Sequence, residues 1–131
     1  MIERLSPPGV PTPRGPYSPV VRAGDFLFVS GQVPVNPATQ SVELSDIRGE
    51  TRLVLSNIKL ILEGAGSSLA DVVKCSVFLS DVGDFAAMNE IYTEFFGTAK
   101  PARTTVGCQF ALAGLRVEID CIAYRPVTKG S

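Results

Sequence analysis

Pro101-Ala102-Arg103-Thr104-Thr105-Val106-Gly107, with Val117-Glu118-Ile119-Asp120 after it, places an arginine in one apolar, β-branched run and a glutamate in the next. Val117, Ile119, Cys121 and Ala123 alternate with Glu118, Asp120, Ile122 and Tyr124, which is the period of a strand. Phe110 to Gly114 separates the two runs and supplies a connection. Paired as a hairpin centred near Phe110 and Ala111, the strands would set Arg103 opposite Glu118 on one sheet face, with Cβ atoms ~4.5–5.5 Å apart. Two readings follow. One is a surface ion pair worth ~0–1 kcal/mol. The other is a site in which Arg103 holds a small anion and Glu118 acts on it.

Upstream of this pair the periodicity changes to that of helices. Ile47, Thr51, Val54, Leu55, Ile58, Ile61 and Leu62 recur at three- and four-residue steps, behind a cap at Ser45 or Asp46 and ahead of Gly64 and Gly66. Leu53 and Leu60 are expected to widen that buried face. A β-rich run, Asp71 to Leu79, follows, with Val73, Cys75, Val77 and Leu79 on one side and Val72, Lys74, Ser76 and Phe78 on the other. Asp81 or Asp84 then opens a second helix whose core stripe is Phe85, Met88, Ile91 or Tyr92, and Phe95. Val20–Ala23 and Phe26–Ser30 form a hairpin around Gly24-Asp25, and Ser41 to Glu43 a short strand. Gly31 marks a bulge or a close approach to the backbone.

The order strand, strand, short strand, helix, strand, helix, strand, strand predicts one α+β domain over 1–131, with both helices on one sheet face. Five prolines within residues 1–16 make 1–14 an extended arm, and 126–131 is a tail. Phe26 and Phe28 oppose Leu27 and Val29, so the sheet is apolar on both faces and asks for a second copy of the chain.

Composition narrows the chemistry. The net charge is -1, with no basic stripe to suggest nucleic acid. The longest apolar runs are too short for a membrane span. The absence of histidine rules out His triads, His bases and His metal sites. No P-loop and no G-x-G-x-x-G is present. Cys75, Cys108 and Cys121 form no C-x-x-C and read as reduced thiols of a cytosolic protein.

Six short motifs then occur in order: Gly15-Pro16-Tyr17-Ser18, Val29-Ser30-Gly31-Gln32-Val33-Pro34, Asp71-Val72-Val73-Lys74, Asp84-Phe85 through Asn89, Pro101-Ala102-Arg103 and Val117-Glu118-Ile119. Together they resemble the Rid/YjgF family of reactive enamine/imine deaminases, from about residue 15 to Tyr124. The resemblance implies a chorismate-mutase-like α+β fold and a homotrimer whose sheets form a central barrel, with sites in the clefts between subunits. It implies that Arg103 binds a substrate carboxylate and that Glu118 orients or activates a water. It places Tyr17 and Ser30 as pocket hydroxyls, Gly31 and Thr105 as backbone contacts, and Asn89 beside the cleft. The implied reaction is hydrolysis of 2-enamines and 2-imines, such as 2-aminoacrylate, to 2-oxo acids and ammonia, without metal or cofactor. A guanidinium suits this task because its two parallel N–H groups match a carboxylate.

Departures from the family pattern are Thr105, where several members carry cysteine, Ala111-Leu112-Ala113-Gly114 in place of the commoner turn, and the proline-rich segment before Pro16. The rival reading is a non-catalytic module that captures a 2-oxo acid or other small carboxylate. A nuclease role, reported for parts of the family, has no physical support in these residues.

Overall fold

The computed structural model describes residues 1–127; the part of the expected tail from 128 to 131 lies outside the described residues. Strands β1 (Ile2–Leu5), β2 (Val20–Ala23), β3 (Phe26–Gln32), β4 (Val35–Asn36) and β5 (Ser41–Val42) precede helix α1 (Ile47–Gly64). Then come β6 (Val72–Leu79), α2 (Phe85–Phe96), β7 (Ala102–Gly107) and β8 (Val117–Tyr124). Six strands form one sheet in the order β1-β2-β3-β8-β6-β7, and β4 pairs with β5 apart from it.

The α+β class is found, and the expected strands and helices occur in the expected order, with two strands the sequence reading did not include, β1 in the proline-rich arm and β4 before the short β5. The hairpin of Arg103 with Glu118 is not. β7 runs parallel to β6, with Cys75 beside Arg103, and β8 pairs antiparallel with the opposite edge of β6. The connection from β7 to β8 straddles the end of β6: Cys108 N donates to Leu79 O at 2.9 Å, and Ser80 N donates to Arg116 O at 3.1 Å. Helix α2 bridges the parallel pair, as parallel strands require. β8 is therefore central, bonded to β3 on one side and β6 on the other.

Both helices cover one face. Val54, Leu55, Ile58, Ile61 and Leu62 of α1 and Met88 and Ile91 of α2 join Leu27, Val77, Val117 and Ile119 of the sheet in one core. Asp46 caps α1, its carboxylate accepting from Gly49 N at 2.8 Å, a contact worth ~1 kcal/mol. Gly66, at φ +85°, ends the helix, with Ser67 N donating to Leu62 O.

Four details correct the sequence expectation. Leu60 is 42% exposed and Leu53 only partly covered, because neither lies on the side of α1 that meets the sheet. In their place α1 buries Glu50 and Asn57 completely. On α2 the expected Met88, Ile91 and Tyr92 are buried and Phe95 packs partly covered against the core, but Phe85 is exposed and Phe96 is buried instead. A bulge at Val73 shifts the β6 register, so Val72 turns into the core and Val73 outward. Finally, the proline-rich arm is partly structured: Ile2–Leu5 adds an edge strand to β2, and Val10 is buried.

Glu50 is buried but not unpaired. Its Oε2 accepts from Ser45 N at 3.1 Å and its Oε1 from Arg116 N at 2.9 Å. One carboxylate thus ties the start of α1 to the start of β8, which offsets the cost of burying it. The uncovered face carries Phe26, Phe28, Val73, Val106 and Tyr124, each more than 40% exposed.

Candidate functional site

The expected site residues fall into two groups. Tyr17, Ser30, Gly31 and Glu118, with Val33, line one open cleft of about 400 Å³. The β3 bulge between Val29 and Gln32 creates it by releasing Ser30 and Gly31 from the ladder. Ser30 N donates to Pro19 O, and its hydroxyl donates to Ser18 O at 2.6 Å, so the serine fastens the Tyr17 loop to β3. Tyr17 is held by Arg14 N donating to its hydroxyl at 3.2 Å.

Gly31 leaves room for the Glu118 side chain, which lies in the space a Cβ would fill. A Cβ there would collide with Glu118 Oε2 and stand 3.0 Å from its carboxyl carbon. Burial, and secondarily the charge of Asp120 two residues on, raise the Glu118 pKa above the ordinary carboxylate value. Once ionised, Glu118 is therefore a stronger base than a free carboxylate.

Arg103 belongs to the second group, on the helix-covered face. In the strand register it is level with Cys75, which is level with Cys121, and both cysteines are buried. Its Nη1 donates to Asn89 Oδ1 at 2.8 Å. The guanidinium carbon lies 4.7 Å from the centroid of the Tyr92 ring and 5.5 Å from that of Phe85. Asn89 and Tyr92 are three apart on α2 and so share a helix face. Among the described residues no carboxylate forms an ion pair with Arg103. It lines a cleft of about 240 Å³ with Tyr92, Phe96, Lys100 and Pro101.

Two hydroxyls lie near this arginine. Thr105, on the same side of β7, and Tyr92 both have hydroxyl oxygens that are buried without a hydrogen-bond partner. Burial first, and the Cys75 side chain next, push the Tyr92 phenol upward and hold it protonated. Burial likewise raises the Cys75 thiol.

Within one chain Arg103 and Glu118 do not meet. β6 separates their strands, a gap of about 10 Å, and their side chains leave opposite faces of the sheet. Local pairing could not reveal this, because it depends on α2 carrying β7 to the far edge of β6. The residues that sequence reading missed are Tyr92 and Lys100. The i, i+3 spacing of Asn89 and Tyr92 was the available signal for the first. Among the described residues no cluster of His, Cys, Asp or Glu is arranged to hold a metal ion, and no helix is long and apolar enough to cross a membrane.

Comparison with known proteins places this geometry in context. Residues 9–125 match the family described as Endoribonuclease L-PSP. A RutC family protein of Pyrococcus horikoshii is 48% identical over 125 residues, covering 95% of this chain and 99% of that protein. A protein of Dermatophagoides farinae named 2-iminobutanoate/2-iminopropanoate deaminase is 38% identical over 118 residues, covering 90% and 92%. The structure of E. coli TdcF with bound serine superposes with a TM-score of 0.82 at 38% identity, covering 88% of this chain and 93% of that one.

Proposed function

The chain belongs to the Endoribonuclease L-PSP family, also called the YjgF/RutC/Rid family, and from that membership we propose that it hydrolyses 2-imino and 2-enamino acids to 2-oxo acids and ammonia in the cytoplasm. The observation that carries the proposal is Arg103: oriented by Asn89, flanked by Tyr92, and without a carboxylate partner among the described residues. A cation so held is a receptor for an anion from outside the chain.

In this reading the missing half of the site comes from a second subunit. The apolar face bearing Phe26, Phe28 and Tyr124 closes on its copies in a homotrimer, its sheets facing a central barrel. The Arg103 cleft of one protomer then adjoins the Tyr17–Ser30–Gly31–Glu118 cleft of its neighbour. Arg103 takes the substrate carboxylate and fixes the imine carbon in position. Water adds to that carbon, Glu118 accepts the water proton, and the C=N π electrons move to nitrogen. Nitrogen takes that proton back from Glu118 to give the carbinolamine, which then collapses: Glu118 takes the hydroxyl proton and passes it to nitrogen as the C–N bond breaks, the oxygen becomes the 2-oxo group, and nitrogen leaves as ammonia. Uncatalysed hydrolysis is already feasible, so positioning and one base are a sufficient device.

The test is hydrolysis of 2-aminoacrylate generated in situ. Pyruvate release faster with protein than in buffer, and lost in Arg103→Ala, supports the proposal; equal rates with and without protein reject it. The bound serine named for E. coli TdcF favours a second reading, capture of a small carboxylate without turnover. Thermal shifts with 2-oxo acids and no hydrolysis would select it.

A further inference from the structure

We propose that Lys100 is a specificity-determining residue of the Arg103 cleft, and that it selects imines with a second anionic group, those of acidic amino acids, over imines with apolar side chains. The inference rests on Arg103 being the carboxylate anchor, as read above.

Three observations carry it. First, the cleft holds two cations, Arg103 and Lys100, and no acidic residue lines it among the described residues. Lys100 forms no ion pair among the described residues. Two unneutralised positive charges around a cleft of about 240 Å³ attract a ligand with more than one negative group.

Second, Lys100 is held at φ +42°, a left-handed backbone that disfavours any residue with a Cβ. It also precedes Pro101, and a proline pushes the residue before it toward extended conformations. Glycine or asparagine would fit the position better, yet a lysine occupies it. Strain of this kind is characteristic of places where a side chain has a task.

Third, the two cations differ in what they can grip. One Arg103 donor is already given to Asn89, which fixes the guanidinium and leaves its remaining N–H groups for one carboxylate. Lys100 is a point charge on a flexible stem, tolerant of the distance and angle of a second anion. Between them Tyr92, Phe96 and Pro101 offer an apolar floor for the methylene groups that separate two carboxylates.

The imines of glutamate and alanine, each generated in situ, are compared by kcat/KM in the wild type, Lys100→Gly and Lys100→Arg. The expected result is a wild-type preference for the glutamate imine. Lys100→Gly lowers the ratio of the two values about tenfold, whereas Lys100→Arg retains the preference. Because glycine relieves the backbone, Lys100→Gly should have a Tm at or above the wild-type value, so unfolding cannot account for its loss. An alanine imine hydrolysed normally with a ratio unchanged in Lys100→Gly overturns the role of Lys100 and leaves the deaminase reading standing. If no imine is hydrolysed, that reading falls, and calorimetric titration with 2-oxoglutarate against 2-oxobutanoate decides about Lys100. Tighter 2-oxoglutarate binding that weakens in Lys100→Gly upholds it; equal or absent binding overturns it.

Discussion

Arg103 and Glu118 are prepared in opposite ways. Arg103 is made rigid by what surrounds it: Asn89 fixes one arm and Tyr92 backs the plane. Arg103→Lys keeps the charge but loses the fork, and kcat/KM is expected to fall about 10- to 100-fold while far-UV circular dichroism stays unchanged. Glu118 is made reactive by burial and by Asp120. In the proposed role of base it must be ionised, so the proposed activity should rise with pH through its elevated pKa. Asp120→Asn removes the repulsion and should move that acid limb to lower pH in a pH–rate profile. The same shift has a stability sign. A carboxyl whose pKa is raised on folding contributes stability that is full below its unfolded pKa and is lost as pH rises through the folded one. Glu118→Gln should therefore raise Tm at neutral pH, not at pH 4, while abolishing turnover. Gly31→Ala should displace the carboxylate it faces and cost activity without unfolding the chain.

Among the elements, alternation and helical spacing gave both helices and the longer strands from local residues alone, because each buried stripe repeats with its own period, whereas the short β1 and β4 carry too few residues to show one. What they could not give was neighbourhood. Adjacent β-runs separated by a short connection usually pair, yet β7 and β8 are parted by β6. Arg103 and Glu118 were legible as chemistry and illegible as geometry for that reason. Val73 escaped for a different one: a bulge changes the parity of a strand without changing its composition. Glu50, an acid within an apolar helix stripe, gives no sign in the sequence that two backbone N–H groups await it. Glu50→Ala strands both and should lower stability by about 2–5 kcal/mol in urea unfolding. By contrast Leu60→Lys, at an exposed position the periodicity had counted as buried, should change it by less than about 0.5 kcal/mol. The exposed Arg48–Glu90 and Arg52–Glu94 pairs between α1 and α2 are worth ~0–1 kcal/mol each.

For the whole molecule, one sheet face is covered by helices and the other carries exposed phenylalanines. If that open face closes on its copies as proposed, Phe28→Glu should yield monomers in light scattering, and the proposed deaminase activity should be lost along with the assembly. A division of labour also follows from the way β6 holds Arg103 and Glu118 apart. If every seam draws its fork from one polypeptide and its acid from the next, two dead variants can rescue each other. Refolding Arg103→Ala together with Glu118→Gln should give hybrids in which about a quarter of the seams inherit both intact halves, by random assortment around a ring. Neither parent refolded by itself should regain any.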